Sequence, residues 1–337
     1  MKRIFQLLLT TAIFAISINV SAATKSATIN FATWLSPTHP HNADVLKTWG
    51  GWVEEATEGR VKVNVENYVG HPKDLFDLVE DGSYQGSWSY HGYVPGRFKL
   101  TKVVELPGLG AGAEAASAAH WNVNEKYLAK AGEHDGLKLI GLFTHGPGQI
   151  MMREPISNLA DMKGKKIRVG GGIQGDIAKL LGVTAVPAPG SKVYEILQTG
   201  VADGVFMPVG EQNTLKLSDV AKVIYQLPGG MYLGSFGIFL NPEFFDSLSA
   251  KDQKAIMSVS GEKLSAYAGK VWDKNDATGY SAAKSAGNKV VKAPQAEADK
   301  FNKMVSGIEA SWLKEIASAG VDGKAALMEL RKSAKSY

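Results

Sequence analysis

The sequence predicts an α/β protein built as two similar lobes around a cleft. Three observations carry this. Strand-length apolar or alternating stretches are separated by helical spacing between Thr28 and Phe143, and the pattern restarts at Thr144. About 314 residues lie beyond residue 23, more than one core usually serves. Finally, no proline occurs between Ala250 and Gly287. As one helix that stretch would be about 55 Å long, wider than a single domain.

In the first half, Thr28 to Thr33 reads as a strand with Ile29 and Phe31 on one face. His41 to Thr57 is helical, with Val45, Leu46, Trp49, Trp52 and Val53 along one side, and Gly59 stops it. Arg60 to Tyr68 alternates as a second strand. A β-α-β unit of this kind makes the two strands parallel and the crossover right-handed. Leu75 to Glu80 is a short helix, Tyr84 to Tyr90 a strand, Ala113 to Ala131 an alanine-rich helix and Leu137 to Phe143 a buried strand.

In the second half, Gln149 to Met152 is a strand and Ser157 to Met162 a turn. A strand then runs into Arg168 and a helix spans Asp176 to about Leu181. Thr184 to Pro187 and Ala202 to Pro208 are strands, with helices at Lys192 to Gln198 and Glu211 to Leu217. Gly234 to Leu240 suits a central strand. Ser249-Ala250-Lys251-Asp252 forms a capping pattern ahead of the long helix. Lys289 to Lys292 is a strand, and Ala296 to Ala319 and Gly323 to Ser333 close the chain. Crossings near Thr144, near Gly234 and along the long helix would make a hinge, the usual arrangement for closure on a ligand.

Met1 to Ala23 has the form of an export signal. Lys2 and Arg3 precede a mostly apolar run from Ile4 to Val20, and Ser21-Ala22-Ala23 supplies small residues for cleavage. The chain has no cysteine, so it has neither disulfides nor a lipid-bearing cysteine. Lysine and arginine total 37 against 33 acidic residues, a formal charge of +4. That balance, without a basic run interleaved with aromatics, excludes a nucleic-acid binder.

The chemistry concentrates at Lys165-Lys166-Ile167-Arg168-Val169-Gly170-Gly171-Gly172-Ile173-Gln174-Gly175. An arginine stands at a strand end, followed by glycines and a helix start. Helix N-termini attract anions, and a guanidinium offers a fork of donors matched to a carboxylate or sulfonate. The bland alternative for Arg168 is a structural salt bridge. The same stretch matches the dinucleotide fingerprint, with Glu195 twenty residues beyond Gly175. An exported chain meets no free dinucleotide, however, and an arginine stands where a pyrophosphate wants only backbone. Aromatics at strand ends (Trp34, Trp88, Tyr90, Tyr93, Phe206 and Tyr232) are candidate pocket walls, against the alternative that half of them pack in the core. Trp49 and Trp52 belong to the core. His39-Pro40-His41 reads as a helix start rather than a metal pair. The sequence carries no nucleophile elbow, no H-E-x-x-H and no cysteine nucleophile, which fits a binding protein rather than an enzyme.

Two longer stretches carry a family likeness. They are Leu159-Ala160-Asp161-Met162-Lys163-Gly164 leading into Arg168, and Val193-Tyr194-Glu195-Ile196-Leu197-Gln198-Thr199-Gly200-Val201-Ala202-Asp203-Gly204. With Val79-Glu80-Asp81-Gly82-Ser83, Gly92-Tyr93-Val94-Pro95-Gly96-Arg97-Phe98 and Glu105-Leu106-Pro107, the chain resembles the solute-binding proteins of tripartite ATP-independent periplasmic (TRAP) transporters. The resemblance implies a two-lobed periplasmic-binding-protein-like fold with hinge strands and a domain-spanning helix. Residues 1–23 would be the signal, 24–144 with 234–268 the first domain, and 145–233 with 269–337 the second. It implies a periplasmic receptor that binds no ATP and delivers a small organic anion to small and large membrane subunits; the expectation is a monomer with no cofactor and no metal site of its own, while whether a metal bridges the ligand is left open.

Arg168 matches the family's ligand-pairing arginine. Trp34, Trp88, Tyr90, His91, Tyr93, Gln149, Gly170, Phe206, Met207 and Tyr232 are the other candidate ligand residues. The chain has Phe206-Met207-Pro208 where many relatives have an asparagine, and Gln149 where some acidic-sugar binders have a second arginine. Both departures favour a small monoanion or a zwitterion in an aromatic pocket. The alternatives to an organic anion are a zwitterion of ectoine or betaine type, caged by Trp34, Trp88 and Tyr90 through cation–π contact, and, further off, an exported enzyme of unknown reaction.

Overall fold

Two sheets organise the protein in a computed structural model that describes residues 26–337; the signal segment lies outside the described residues. In the first lobe β1 (Ala27–Thr33) lies between β2 (Val61–Asn67) and β3 (Gly86–Tyr90), parallel to both. β4 (Lys138–Thr144) lies at the far edge. In the second lobe β5 (Gln149–Met152) runs antiparallel to its neighbour β8 (Gly204–Met207). β6 (Lys166–Val169) and β7 (Thr184–Pro187) continue that sheet on one side. On its other side lie β9 (Val223–Gln226) and later β11 (Lys289–Lys292). The chain then returns, and β10 (Ser235–Leu240) inserts antiparallel between β3 and β4. Every residue of β3 and β10 is buried, the mark of central strands covered on both faces.

The helices in chain order are α1 (Lys47–Ala56), α2 (Asp74–Glu80), α3 (Ala113–Val123), α4 (Ile173–Leu180), α5 (Val193–Gln198) and α6 (Glu211–Thr214). They continue with α7 (Pro242–Ser247), α8 (Ala250–Ser258), α9 (Glu262–Ser285), α10 (Gln295–Val305), α11 (Ile308–Glu315) and α12 (Gly323–Ser336). The first helix of the chain begins as a π-helical turn over His41–Leu46 before α1. Neither α7 nor β9 follows from periodicity. Each is only a few residues long, too short for a repeat to be read.

The single helix expected from Ala250 to Gly287 is two. Ser249 caps α8 by accepting the Asp252 N–H at 3.1 Å. At Gly261 the backbone turns to a φ of +61°, a conformation that favours glycine. Its N–H there donates to Ile140 O at 2.7 Å. The 24 residues of α9 reach only about 36 Å at 1.5 Å each. They still touch both lobes. A methyl on Gly269 would stand 2.2 Å from Ala113 O, and one on Gly279 would stand 2.0 Å from Val209 O. Between them Asp273 caps α3 by accepting the Ala113 and Glu114 N–H groups at 2.7 and 2.9 Å, while Asp276 accepts the Gly210 N–H ahead of α6 at 2.7 Å. The predicted closing helix Ala296 to Ala319 likewise divides into α10 and α11.

The cores do not follow the sequence cut at residue 144. Leu100, Val103, Val104, Ala116, Ala119 and Val123 pack with Leu327 and Leu330 of α12 in the core of the second lobe, although their sequence precedes β4. The lobes join through residues 145–148 and 227–234. These two segments hydrogen-bond to each other: Gly148 N–H donates to Tyr232 O and Met231 N–H to Gly148 O, both at 2.9 Å.

Candidate ligand cavity

A cavity with about 40 Å³ of water-sized space lies between the sheets, beside both crossing segments. A single water needs roughly 10–15 Å³ on that scale, so a dinucleotide is far too large for it. Seven of its sixteen lining residues carry aromatic rings. Trp34 follows β1 and meets Tyr93 edge-on at 5.7 Å between ring centroids. Tyr90, at the end of β3, meets Tyr93 at 5.1 Å and Phe236 at 5.1 Å. Tyr232 and His145, one on each crossing segment, face each other edge-on at 5.4 Å. Trp272 of α9 stacks on Phe236 at 6.3 Å. The second lobe adds Arg168, Gly170, Gln174, Gly190, Met207, Pro208, Glu211 and Leu215.

Arg168 is 2% exposed and stands near the end of β6. Its Nε and Nη2 donate to Ala188 O at 2.9 and 2.6 Å, which fixes the plane of the guanidinium. No ion pair among the described residues involves it, so the salt-bridge alternative does not hold here. A buried, unneutralised guanidinium is costly unless an anion joins it. Burial raises the Tyr93 hydroxyl above its usual pKa while the Arg168 charge opposes the shift; that hydroxyl also accepts the Gly190 N–H at 2.9 Å. Burial lowers the His145 pKa to about 4, so the ring is neutral; its Nδ1 donates to Gly146 O at 2.6 Å.

The glycine run works differently from its sequence reading. Helix α4 starts at Ile173, three residues earlier than expected, and the carboxyl group at its N-terminus is the protein's own. Glu105 Oε2 accepts the Ile173 N–H at 3.0 Å, while Oε1 accepts the Ser235 N–H at 2.9 Å. Gly171 and Gly172 adopt φ values of +109° and +56°. A methyl on Gly171 would lie 2.1 Å from Gly92 O, and one on Gly172 would lie 2.4 Å from Glu105 Oε2. These glycines therefore admit the opposite lobe and Glu105 rather than a ligand.

Of the candidate residues, Arg168, Trp34, Tyr90, Tyr93, Gly170, Met207 and Tyr232 line the cavity. Four do not. Trp88 lies two residues back from the β3 end, wholly buried, with its indole N–H donated to Thr33 Oγ1 at 2.9 Å. His91 is packed in the core, with Nδ1 2.9 Å from Ser235 Oγ and Nε2 3.1 Å from His134 Nε2; burial holds it neutral. Gln149 is spent on the Leu227 backbone, accepting its N–H at 2.8 Å and donating to its carbonyl at 3.3 Å. Phe206 points away from Met207 into the core, because neighbours on a strand face opposite ways. Glu211, Trp272, His145, Gln174 and Phe236 went unrecognised. Glu211 and Trp272 sit on helices whose apolar spacing gave no reason to single them out.

Two lobes enclosing a small cavity rich in aromatic rings, with a buried arginine that forms no ion pair among the described residues, have the form of a solute receptor. The chain belongs to bacterial extracellular solute-binding protein family 7, whose profile matches residues 31–315. It is similar to solved TRAP periplasmic solute-binding proteins. One, from Bordetella bronchiseptica with bound (R)- and (S)-mandelate, is 38% identical with a TM-score of 0.89, over 92% of this chain and 99% of that one. Another, from Rhodoferax ferrireducens with copurified benzoate, is 26% identical with a TM-score of 0.86, over 92% and 98%. Among curated relatives, the outer membrane transporter protein TsaT of Comamonas testosteroni is 29% identical over 96% of each chain. The chain is thus an extracellular solute-binding protein with the fold of these solved TRAP receptors. Among the described residues no helix is long and apolar enough to cross a membrane.

Proposed function

We propose that the chain captures a small aromatic carboxylate, or the corresponding sulfonate, and presents it to the small and large membrane subunits of a TRAP transporter. The single observation behind this is Arg168, buried in an aromatic-walled cavity without an acidic partner. The free side of its guanidinium meets the acid group. Trp34, Tyr93, Tyr232 and Phe236 enclose a flat ring, where apolar walls with few polar groups suit a small ligand. The mandelate and benzoate held by the two similar solved proteins have this chemistry. A zwitterion gains less support, because neither of those ligands carries a cation.

Binding energy is spent on closing the lobes, and the closed form is what the membrane subunits engage. On this reading the ligand leaves unchanged. The test is calorimetry with benzoate and mandelate on the wild type and Arg168→Ala. Removing one partner of a buried charge pair costs about 3 kcal/mol or more, close to a hundredfold in affinity. The variant should keep its fold by circular dichroism while its affinity falls by that much. Equal affinity for both proteins would refute the role of Arg168.

A further inference from the structure

The cavity has a second polar region, with opposite charge. Glu211, at the start of α6, lines the same space as Arg168, is 2% exposed, and does not pair with the arginine. Its Oε2 accepts the Thr214 hydroxyl at 2.5 Å. Its Oε1 accepts no hydrogen bond among the described residues. His39 Nε2 lies 3.5 Å from Oε1. His39 Nδ1 accepts the His41 N–H at 3.1 Å, so the ring proton sits on Nε2, yet that nitrogen has no hydrogen-bond partner. Trp272 lies against His39 at 5.2 Å between ring centroids, and its indole N–H is also buried without a partner. Glu211 and Trp272 line the cavity and His39 lies behind them, so one carboxylate oxygen and one N–H donor of lining residues are left unmatched, with a second unmatched N–H behind the wall. Buried polar groups are rarely left so, and a group that supplies both a donor and an acceptor satisfies them together.

A hydroxyl is the smallest group that does both. We propose that Glu211 and Trp272, backed by His39, form a hydroxyl-reading subsite, which selects an aromatic acid carrying a hydroxyl apart from its acid group. The ligand hydroxyl donates to Glu211 Oε1 and accepts from the Trp272 N–H. This rests on the assignment of Arg168 to the acid group, and it adds a reason for discrimination within that ligand class. A site built to pair a hydroxyl rejects the analogue lacking it, because its own buried groups are then left unpaired.

The test compares dissociation constants of benzoate and its 2-, 3- and 4-hydroxy isomers, with 4-(trimethylammonio)benzoate as a cationic control. The proteins are the wild type, Glu211→Gln and Trp272→Phe. In the wild type at least one hydroxy isomer should bind about tenfold or more tighter than benzoate, the size of one good hydrogen bond to a charged group. That ratio should collapse towards one in Glu211→Gln and fall in Trp272→Phe, which keeps an aromatic ring but not the N–H. A preference retained in both variants would overturn the subsite, as would the absence of any hydroxy preference in a wild type that binds benzoate. Equal weakening of benzoate and hydroxybenzoate would make these groups structural. Tightest binding of the cationic control would make Glu211 a cation site instead. If neither benzoate nor any isomer binds the wild type, the Arg168 assignment falls as well, and the two failures are told apart by benzoate alone.

Discussion

At the scale of single residues, the chain hides its most consequential acid. Glu105 is buried between Ser235 at the start of β10 and Ile173 at the start of α4. Burial pushes its pKa up to about 7, only partly opposed by the backbone N–H donors. The folded state therefore holds its proton more tightly than the unfolded chain does. Its contribution to stability is full below the unfolded value near 4.5 and is lost as pH rises towards 7. The whole effect is about 3 kcal/mol on the scale of 1.36 kcal/mol per pKa unit, an order-of-magnitude figure. The expected outcome for Glu105→Gln is a melting-temperature deficit against wild type that is largest near pH 5 and shrinks by pH 8. A deficit constant across that range would place the effect in lost hydrogen bonds alone. Buried His120 and His134, lowered to about 3 and about 4, act the other way, destabilising the fold as pH falls below about 6.5. They are common to both proteins and cancel in the difference. Arg168 could be read from the sequence because a strand end and a glycine run are local. Glu105 could not, because its partners lie 68 and 130 residues away and nothing near it in the chain announces them.

At the scale of elements, α9 holds the two lobes to one frame. Its small residues let it approach the backbone: Gly269 against Ala113 O and Gly279 against Val209 O. Intrinsic helix propensity favours alanine over glycine by about 1 kcal/mol. Gly269→Ala should nevertheless destabilise the protein by more than 1 kcal/mol in urea, because the new methyl would meet Ala113 O at 2.2 Å and force the helix off α3. Stabilisation would show that α9 shifts freely and is not a brace. The sequence shows such a helix through its spacing and the absence of proline, but not its length. Gly261 reads as one weak helix residue among several until its positive φ and its bond to Ile140 O are known. The strands were easier: β1, β2, β3 and β10 lie close to their sequence limits because alternation or continuous burial marks each one. Side-chain direction was less legible. Phe206 and Met207 both suit a pocket by composition, yet the strand can offer only one of them to the cleft.

At the scale of the molecule, the close fit of the lobes depends on the contact between Gly92 of the first and Gly171 of the second. Tyr90 reinforces it by donating its hydroxyl to Gly171 O at 3.2 Å. An alanine at Gly171 would be strained at a φ of +109°, and its methyl would stand 2.1 Å from Gly92 O. Parting the lobes relieves the clash with Gly92, so the substitution biases the hinge towards the open form. Affinity falls by the fraction of molecules able to close, even though Arg168 and the aromatic walls are untouched. Gly171→Ala should therefore weaken benzoate binding, and its ligand-free radius of gyration in solution scattering should exceed that of the wild type. Arg168→Ala should weaken binding without enlarging the ligand-free protein relative to wild type. If ligand-free Gly171→Ala is no larger than the wild type, the glycine contact does not govern closure, and its weakened binding would have to come from the cavity itself.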